Sequence, residues 1–308
     1  MVADEVGRAL RLGTRGSALA LAQARWVAER LAGEVELVEI VTAGDVRREQ
    51  PAIDPGDKSR WTGALERALV AGEIDLAVHS AKDVPVALEP GTEIAAVPAR
   101  EDARDVLVGA SSLAALPAGA RVGTSALRRR AQLLAVRPDL DVVEIRGNVD
   151  TRLRKLAGGE VDALVLAAAG LARLGREVTA APLEGDVFVP EPGQGCLLVQ
   201  ARERDAAVAA AVQAVTDGAT HMALDTERDV AARLGASCHT AVGVEATLGL
   251  ETVAVRGFAG LPDGSEWLVD EVRDAAFDVD LAALGEALAD RMLAAGAAAL
   301  LARAEAMA

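Results

Sequence analysis

Residues able to do chemistry collect in five short polar segments, each beside an apolar run. The first, Leu12-Gly13-Thr14-Arg15-Gly16-Ser17, reads as a strand passing into a helix. Backbone N–H groups at such a junction, helped by Ser17 and the helix dipole, can hold an anion, and Arg15 adds a positive charge. Val122-Gly123-Thr124-Ser125-Ala126-Leu127-Arg128-Arg129-Arg130 repeats the arrangement. Arg146-Gly147-Asn148-Val149-Asp150-Thr151-Arg152 again puts a turn before a helix, with an arginine on either side. One such junction is an ordinary cap beside a solvated arginine. Three suggest the walls of an anion site, and the planar fork of arginine suits carboxylates.

The fourth segment, His79-Ser80-Ala81-Lys82-Asp83-Val84-Pro85, follows the apolar run Ile74–Val78. Asp83 there can move a proton or stabilise a cationic intermediate, although a Lys–Asp surface turn would leave the same pattern. The fifth, Gly235-Ala236-Ser237-Cys238-His239-Thr240, sets a cysteine in a small-residue loop. Its thiol is either reactive or a buried apolar group. Cys196, Cys238, His221 and His239 show none of the paired metal-ligand spacings, so no metal site is expected.

These segments sit in a chain of 308 residues, long enough for two or three domains. Aromatic residues make up only 2%, so the cores must be filled by Ala, Val and Leu. A net charge of −15 argues against nucleic acid as a partner. Between Arg121 and Lys155, however, eight Arg and one Lys face four acidic residues, a local net of +5 that suits a small polyanion. Charges interrupt the first dozen residues, and no uncharged run reaches the roughly 18 residues of a membrane span. A cytoplasmic protein without membrane contact is expected. No sustained heptad or long apolar seam is present, which makes a monomer the default.

Apolar runs predict strands at Ala9–Gly13, Val35–Val41, Ile74–Val78, Glu93–Val97, Asp105–Gly109, Arg121–Gly123, Asp141–Glu144 and Ala163–Leu166. Helical patterns fall between them at Ala18–Leu31, Gly63–Ala71, Leu127–Val136, Val149–Ala157 and Ala168–Leu174. Alternation of this kind implies parallel-type α/β sheets. Two proline-containing joints, Pro98–Arg100 and Pro190–Gly195, are candidate domain crossings, and the expected division is residues 1–98 with 196–216, residues 99–195, and residues 217–308. A chain that leaves one lobe, builds a second and returns is expected to leave a cleft between them. The last part reads as α+β: helices at Ala206–Val215 and Met222–Leu234, three strands with a turn at Pro262-Asp263-Gly264, and one long helix from about Leu281.

Together these segments resemble the porphobilinogen deaminase family. The stretches HSAKDVP (79–85) and RGNVDTR (146–152) carry most of the specificity. Thr14–Ser17, Gly123–Arg129, Ala168-Ala169-Gly170-Leu171 with Arg173, Pro192–Gly195 and the cysteine loop follow in the family's order. The resemblance implies two periplasmic-binding-protein-like (type II) α/β lobes with a central cleft, plus a small C-terminal α+β domain. It implies a transferase of tetrapyrrole (heme) biosynthesis that condenses four porphobilinogen units, with loss of ammonia, onto a covalent dipyrromethane cofactor. Water then releases hydroxymethylbilane. By the same resemblance Cys238 would hold the cofactor through a thioether, with Asp83 as the catalytic carboxylate. Lys82, Ser80, Thr124, Arg128, Arg129 and Arg146 would bind the cofactor. Arg15, Ser17, Lys58, Trp61, Arg152, Arg173 and Gln194 would bind substrate.

The chain departs from the family's pattern near the chemistry. Ser59-Arg60-Trp61 stands where Gly-Leu-Phe is usual, so Trp61 would replace the aromatic ring near the substrate. Ala126 stands in place of a serine, Cys196 in place of an alanine, and Cys238 is followed by His239. These changes also fit a divergent paralogue making a shorter or modified oligopyrrole. A third reading is a non-catalytic binder of small anions on the same fold.

Overall fold

The computed structural model describes residues 8–46, 58–237, 239–277 and 279–307. These fall into two compact units. One holds residues 8–46, 58–100 and 196–221, and the other holds residues 101–195 and 222–307.

In the first unit the strands are β1 (Leu10–Thr14), β2 (Val35–Glu39), β3 (Leu76–Ser80), β4 (Thr92–Ala96) and, later in the chain, β10 (Leu197–Arg202). They form one sheet in the order β2-β1-β3-β10-β4. The first three run parallel, and β10 lies antiparallel to both of its neighbours. Helix α1 (Ala18–Ala28) begins at Ser17, whose hydroxyl accepts the Ala20 N–H at 3.2 Å as an N-cap. Helices α2 (Ala43–Val46), α3 (Ser59–Val70) and α7 (Ala206–Val212) complete the lobe. Its layers are filled by small and branched side chains, including Leu12, Val27, Leu76, Val199 and Val212.

A buried carboxylate closes this lobe. Asp75 accepts hydrogen bonds from Arg8 at 2.8 and 2.9 Å and from Arg11 at 2.9–3.2 Å, and Arg202 of β10 reaches it at 3.3 Å. Burial would push its pKa up, but the arginine hydrogen bonds outweigh that and hold it well below the usual carboxylate range.

The second unit repeats the design. Strands β5 (Asp105–Val108), β6 (Arg121–Gly123), β7 (Asp141–Val143), β8 (Ala163–Ala167) and β9 (Ala180–Pro182) form a sheet in the order β7-β6-β8-β5-β9. Strand β6 runs parallel to β7 and β8, while β5 lies antiparallel to β8 and β9. Matching β6 to β1, β7 to β2, β8 to β3, β5 to β10 and β9 to β4 gives the same order and the same directions. The two α/β lobes therefore share one topology. Helices α4 (Leu127–Val136), α5 (Val149–Ala157) and α6 (Ala168–Arg173) follow β6, β7 and β8.

The same unit contains the α+β part. Helix α8 (Gly218–Arg233) precedes an antiparallel sheet of β11 (Ala241–Leu248), β12 (Thr252–Gly260) and β13 (Trp267–Ala275). The single long helix expected after Leu281 is two, α9 (Leu281–Ala294) and α10 (Ala297–Met307). Gly296 between them has φ +99°, a left-handed conformation that ends the first helix. Phe258 of β12 is fully buried and packs with Leu127 and Ala131 of α4, and with Val189 and Ala241. The sheet thus backs the helix whose first turn carries Arg128 and Arg129.

Phe258→Ala should cost about 3–5 kcal/mol, as expected when a fully buried ring is deleted from a packed core. Urea unfolding at neutral pH measures it; a loss under 1 kcal/mol would mean that this contact does not hold α4.

Candidate active site

Helix α4 opens unusually. Its N-cap is Ala126, whose side chain has no oxygen to cap with, and Arg128 and Arg129 fall in the first turn, where the dipole disfavours cations. Both side chains are nonetheless buried. Asp105, at the head of β5, supplies the compensation. Its Oδ2 accepts from Arg128 Nη1 at 2.7 Å, and its Oδ1 accepts from Arg129 Nε at 3.0 Å and lies 2.8 Å from Arg129 Nη2. Arg128 Nη1 also donates to Gln132 Oε1 and to the Val189 carbonyl, both at 2.9 Å.

The other edge of Arg128 is different. Its Nε and Nη2 are buried with no hydrogen-bond partner among the described residues. A buried guanidinium edge without an acceptor is costly, and a ligand carboxylate is the natural group to satisfy it. Two buried arginines over one carboxylate also leave a net positive charge. The same excess reaches Arg152, whose pKa is pushed down to about 10, first by burial and then by the charge of Arg129.

Arg152 lies on α5 and donates to the Gly147 carbonyl at 2.8 Å and to Ser125 Oγ at 2.9 Å, joining the two helix-start loops. Asn148 caps α5 by accepting the Thr151 N–H at 2.8 Å. Gly147 has φ +118°, and a Cβ there would lie 2.7 Å from Thr151 Cγ2, so this turn requires glycine. Thr124 is buried and accepts the Ala126 N–H at 3.2 Å. Arg146 is half-exposed and pairs with Glu144 at 2.6 Å.

The local charge of +5 overstates the free cations. Arg121, Arg137, Arg146 and Lys155 pair with Asp141, Asp139, Glu144 and Glu160, Arg128 and Arg129 share Asp105, and Arg130, Arg152 and Arg154 carry the rest of the charge. Arg173 ends α6 and donates to the Gly195 carbonyl at 2.7 Å. Gln194 is fully buried: its amide donates to Ala103 O at 2.6 Å and to Asp105 Oδ1 at 2.8 Å, and its oxygen accepts from Arg129 at 3.3 Å. The structure thus sets Gln194 beneath the arginines. Glu227 of α8 steadies this segment by accepting the Gly193 N–H at 2.7 Å and the Ala246 N–H at 2.8 Å.

In the first unit, Ser80 ends β3, and Ala81–Asp83 form a single 3₁₀ turn. The Asp83 carboxylate is half-buried and has no hydrogen-bond or ion-pair partner among the described residues. Lys58 Nζ donates to the Lys82 carbonyl at 2.6 Å, bracing the turn from α3. Arg15 pairs with Asp45, and its guanidinium lies 4.2 Å from the Trp61 ring. Arg60 stacks on the same indole at 4.9 Å, and its Nε is buried without a partner among the described residues. The hydroxyl of Ser17 caps α1.

Cys238 lies outside the described residues. Its flanks are pinned: Ser237 N–H donates to Thr240 Oγ1 at 2.8 Å, and Ser237 Oγ donates to Glu305 at 2.7 Å. Cys196 is fully buried. No metal-binding group of His, Cys, Asp or Glu occurs among the described residues, nor is any described helix long and apolar enough to cross a membrane.

Sequence reasoning missed Asp105, Asp45 and Glu227. A lone carboxylate heading the apolar run Asp105-Val106-Leu107-Val108 is the one signal it offered.

Fold and site define a protein with two α/β lobes of one topology and a buried arginine group with an edge open to an acceptor. The model of the family described as "Porphobilinogen deaminase, dipyromethane cofactor binding domain" matches residues 10–210. A porphobilinogen deaminase from Roseiflexus castenholzii is 45% identical over 301 residues, covering 95% of this chain and 98% of the relative. One from Rubrobacter xylanophilus is 46% identical over 297 residues, covering 95% and 96%. This chain belongs to the porphobilinogen deaminase family. Among solved structures, a periplasmic substrate-binding protein from Coxiella burnetii aligns with TM-score 0.41 at 16% identity, covering 69% of this chain and 94% of that one. The BvgS VFT2 domain of Bordetella pertussis aligns with TM-score 0.40 at 14% identity, covering 72% and 92%.

The residues around Arg128 fit a dipyrromethane bearing acetate and propionate groups, because the buried open edge of that guanidinium calls for a carboxylate.

One titration checks the burial of the strand β3 histidine. Burial pushes the pKa of His79 down to about 4; the nearby Arg15 charge adds to this, and Gln200 opposes it. The unfolded chain therefore takes up this proton first as pH falls from about 6.5, so folding loses stability through the window down to pH 4, by about 3 kcal/mol in all. Urea unfolding of wild type and His79→Gln at pH 7.5 and 4.5 should show the smaller acid loss in the variant. Equal losses would mean that His79 is accessible to protons in the folded state.

Proposed function

We propose that the chain catalyses the stepwise, deaminating condensation of four porphobilinogen units and releases hydroxymethylbilane by hydrolysis, a step of tetrapyrrole biosynthesis. The observation that carries this reading is the arginine group around Arg128, whose one edge is locked by Asp105 while the other awaits an acceptor. Family membership over nearly the whole chain supplies the reaction. The paralogue and anion-binder readings are not favoured, since relatives named porphobilinogen deaminase match along nearly the whole chain.

Cys238 is proposed to anchor the dipyrromethane through a thioether, and Arg128, Arg129, Arg146, Thr124, Ser80 and Lys82 to hold it. When bound, that group supplies a free pyrrole α-carbon as the nucleophile. Arg15, Arg152 and Arg173 are proposed to take substrate carboxylates, with Ser17, Lys58, Trp61 and Gln194 supporting them. Each substrate unit brings two carboxylates, so binding depends on a surplus of fixed cations that costs nothing to reorganise during the reaction.

Asp83 is the proposed catalytic group. As ammonia leaves porphobilinogen, positive charge develops on the pyrrole nitrogen. A fixed carboxylate accepting that N–H stabilises the charge more than it stabilises the neutral substrate, which is what lowers a barrier. Lys58 holds the turn from below through the Lys82 carbonyl, so the carboxylate need not be ordered at each turnover. The division into residues 1–98 with 196–216, 99–195 and 217–308 is proposed as the set of folding domains, and a cytoplasmic monomer as the working state.

Purified wild type should weigh more than its sequence by two deaminated porphobilinogen units, and Cys238→Ser should lack that excess. Asp83→Asn should keep the excess and lose at least about 100-fold in ammonia release, in line with removal of one fixed charge-stabilising group. An unmodified wild type made in cells supplied with porphobilinogen would remove the anchor assignment. Undiminished ammonia release in Asp83→Asn would remove the acid from the mechanism.

A further inference from the structure

We propose that Asp45 and Trp61 act as a clamp on Arg15, fixing which edge of its guanidinium meets the substrate carboxylate and so setting substrate affinity. The inference rests on the reading of Arg15 as a substrate ligand and adds two positioning residues to it.

Arginine offers five N–H donors in one plane, and an unrestrained side chain presents that plane in many orientations. Arg15 is restrained on an edge and on a face. Along one edge, Nε donates to Asp45 Oδ2 at 3.2 Å and Nη2 donates to Asp45 Oδ1 at 2.8 Å. Asp45 is itself held, since Thr42 Oγ1 donates to its Oδ2 at 2.8 Å and the Thr42 N–H approaches at 3.4 Å. Against one face lies the Trp61 indole, its centroid 4.2 Å from the guanidinium carbon. Tryptophan gives the strongest such attraction of the aromatic side chains. The indole is seated on Gly44, where a Cβ would come within 2.2 Å of ring carbons, so any larger residue would push it away.

What remains is one edge. The Nε/Nη2 edge is occupied, and no acceptor lies on Nη1 among the described residues. A substrate carboxylate must therefore meet the Nη1/Nη2 edge. Arg15 and Arg60 both lie over the indole, and Asp45 takes the Nε/Nη2 edge of Arg15. Trp61 stands where the family's pattern has phenylalanine, so in this chain the ring acts through Arg15. It is a positioning residue, as is Asp45.

The test uses cofactor-loaded enzyme and the variants Arg15→Met, Asp45→Asn, Trp61→Leu, Trp61→Phe and the double variant Arg15→Met with Asp45→Asn. Steady-state kinetics with porphobilinogen, intact mass and thermal midpoint are measured on each. Asp45→Asn and Trp61→Leu should each raise KM about tenfold, the cost of freeing a charge-assisted contact, with kcat changed less than about threefold. Their mass should still carry the cofactor, and Trp61→Phe should recover most of the loss. In the Arg15→Met background, Asp45→Asn should add less than about twofold, because a clamp without its arginine has nothing to position.

An unchanged KM in Asp45→Asn overturns the proposal. So does a penalty that is equal with and without Arg15, since a merely structural aspartate would behave that way. If Arg15→Met itself leaves KM unchanged, Arg15 is not a substrate ligand and the clamp falls with it; that result is distinct from one in which Arg15→Met raises KM and its neighbours do not.

Discussion

Asp105 is one buried carboxylate on which three segments converge. It lies at the head of β5, beneath the first turn of α4, and receives the amide of Gln194 from the segment before β10. Without it, two guanidinium groups would be buried at the positive end of a helix with nothing to offset them, which neither the dipole nor the low local dielectric would tolerate. With it, the pair is stable but not neutral. One carboxylate against two arginines is enough to fold and too little to satisfy every donor, and the remainder is what an anionic ligand can use. The tolerance of the site for charge is thus set by a residue that needs no contact with the ligand.

The first unit shows the same pairing put to another use. Asp75 collects Arg8, Arg11 and Arg202, and these arginines tie the start of the chain and strand β10 to one buried point. There the carboxylate is the centre and its donors are spent on it, which makes a fastening. Around Arg128 the arginine is the centre and keeps an edge unspent. The same two side-chain types therefore build a structural joint in one place and a ligand site in another, and the difference lies in burial: the arginines on Asp75 are part-exposed to water, whereas Arg128 buries an edge that no acceptor meets among the described residues.

Much of the architecture was legible. Strand β6 and helices α4 and α5 fall on the residues that periodicity assigns, because each is a clean apolar pattern entered through a cap or turn. Strand β9 escaped notice because three residues ending in proline carry no period. Strand β10 escaped because its apolar run follows directly on the Gly-rich joint. The long C-terminal helix was read through Gly296, since an alanine-rich pattern continues on both sides of the break. The arginines were visible as helix-start residues, but their carboxylate partners were not. Asp105 is 23 residues from Arg128, and Asp45 is 30 from Arg15, distances over which a single sequence gives no pairing signal. Ser17 was legible as a helix cap, whereas the interior hydrogen bonds of Gln194 were not.

Strand order also governs how the chain is made. In the first sheet β10 lies between β3 and β4, yet it is translated about a hundred residues after them. Until the ribosome has passed Arg202, β3 and β4 each present an unpaired edge, a template for unwanted pairing with other chains. In the second lobe the wait is shorter, because all five strands follow one another in the chain and β5 meets its first partner at Ala163. The nascent protein can therefore finish its second lobe before its first, and the interval between them is a window in which a chaperone would find its substrate.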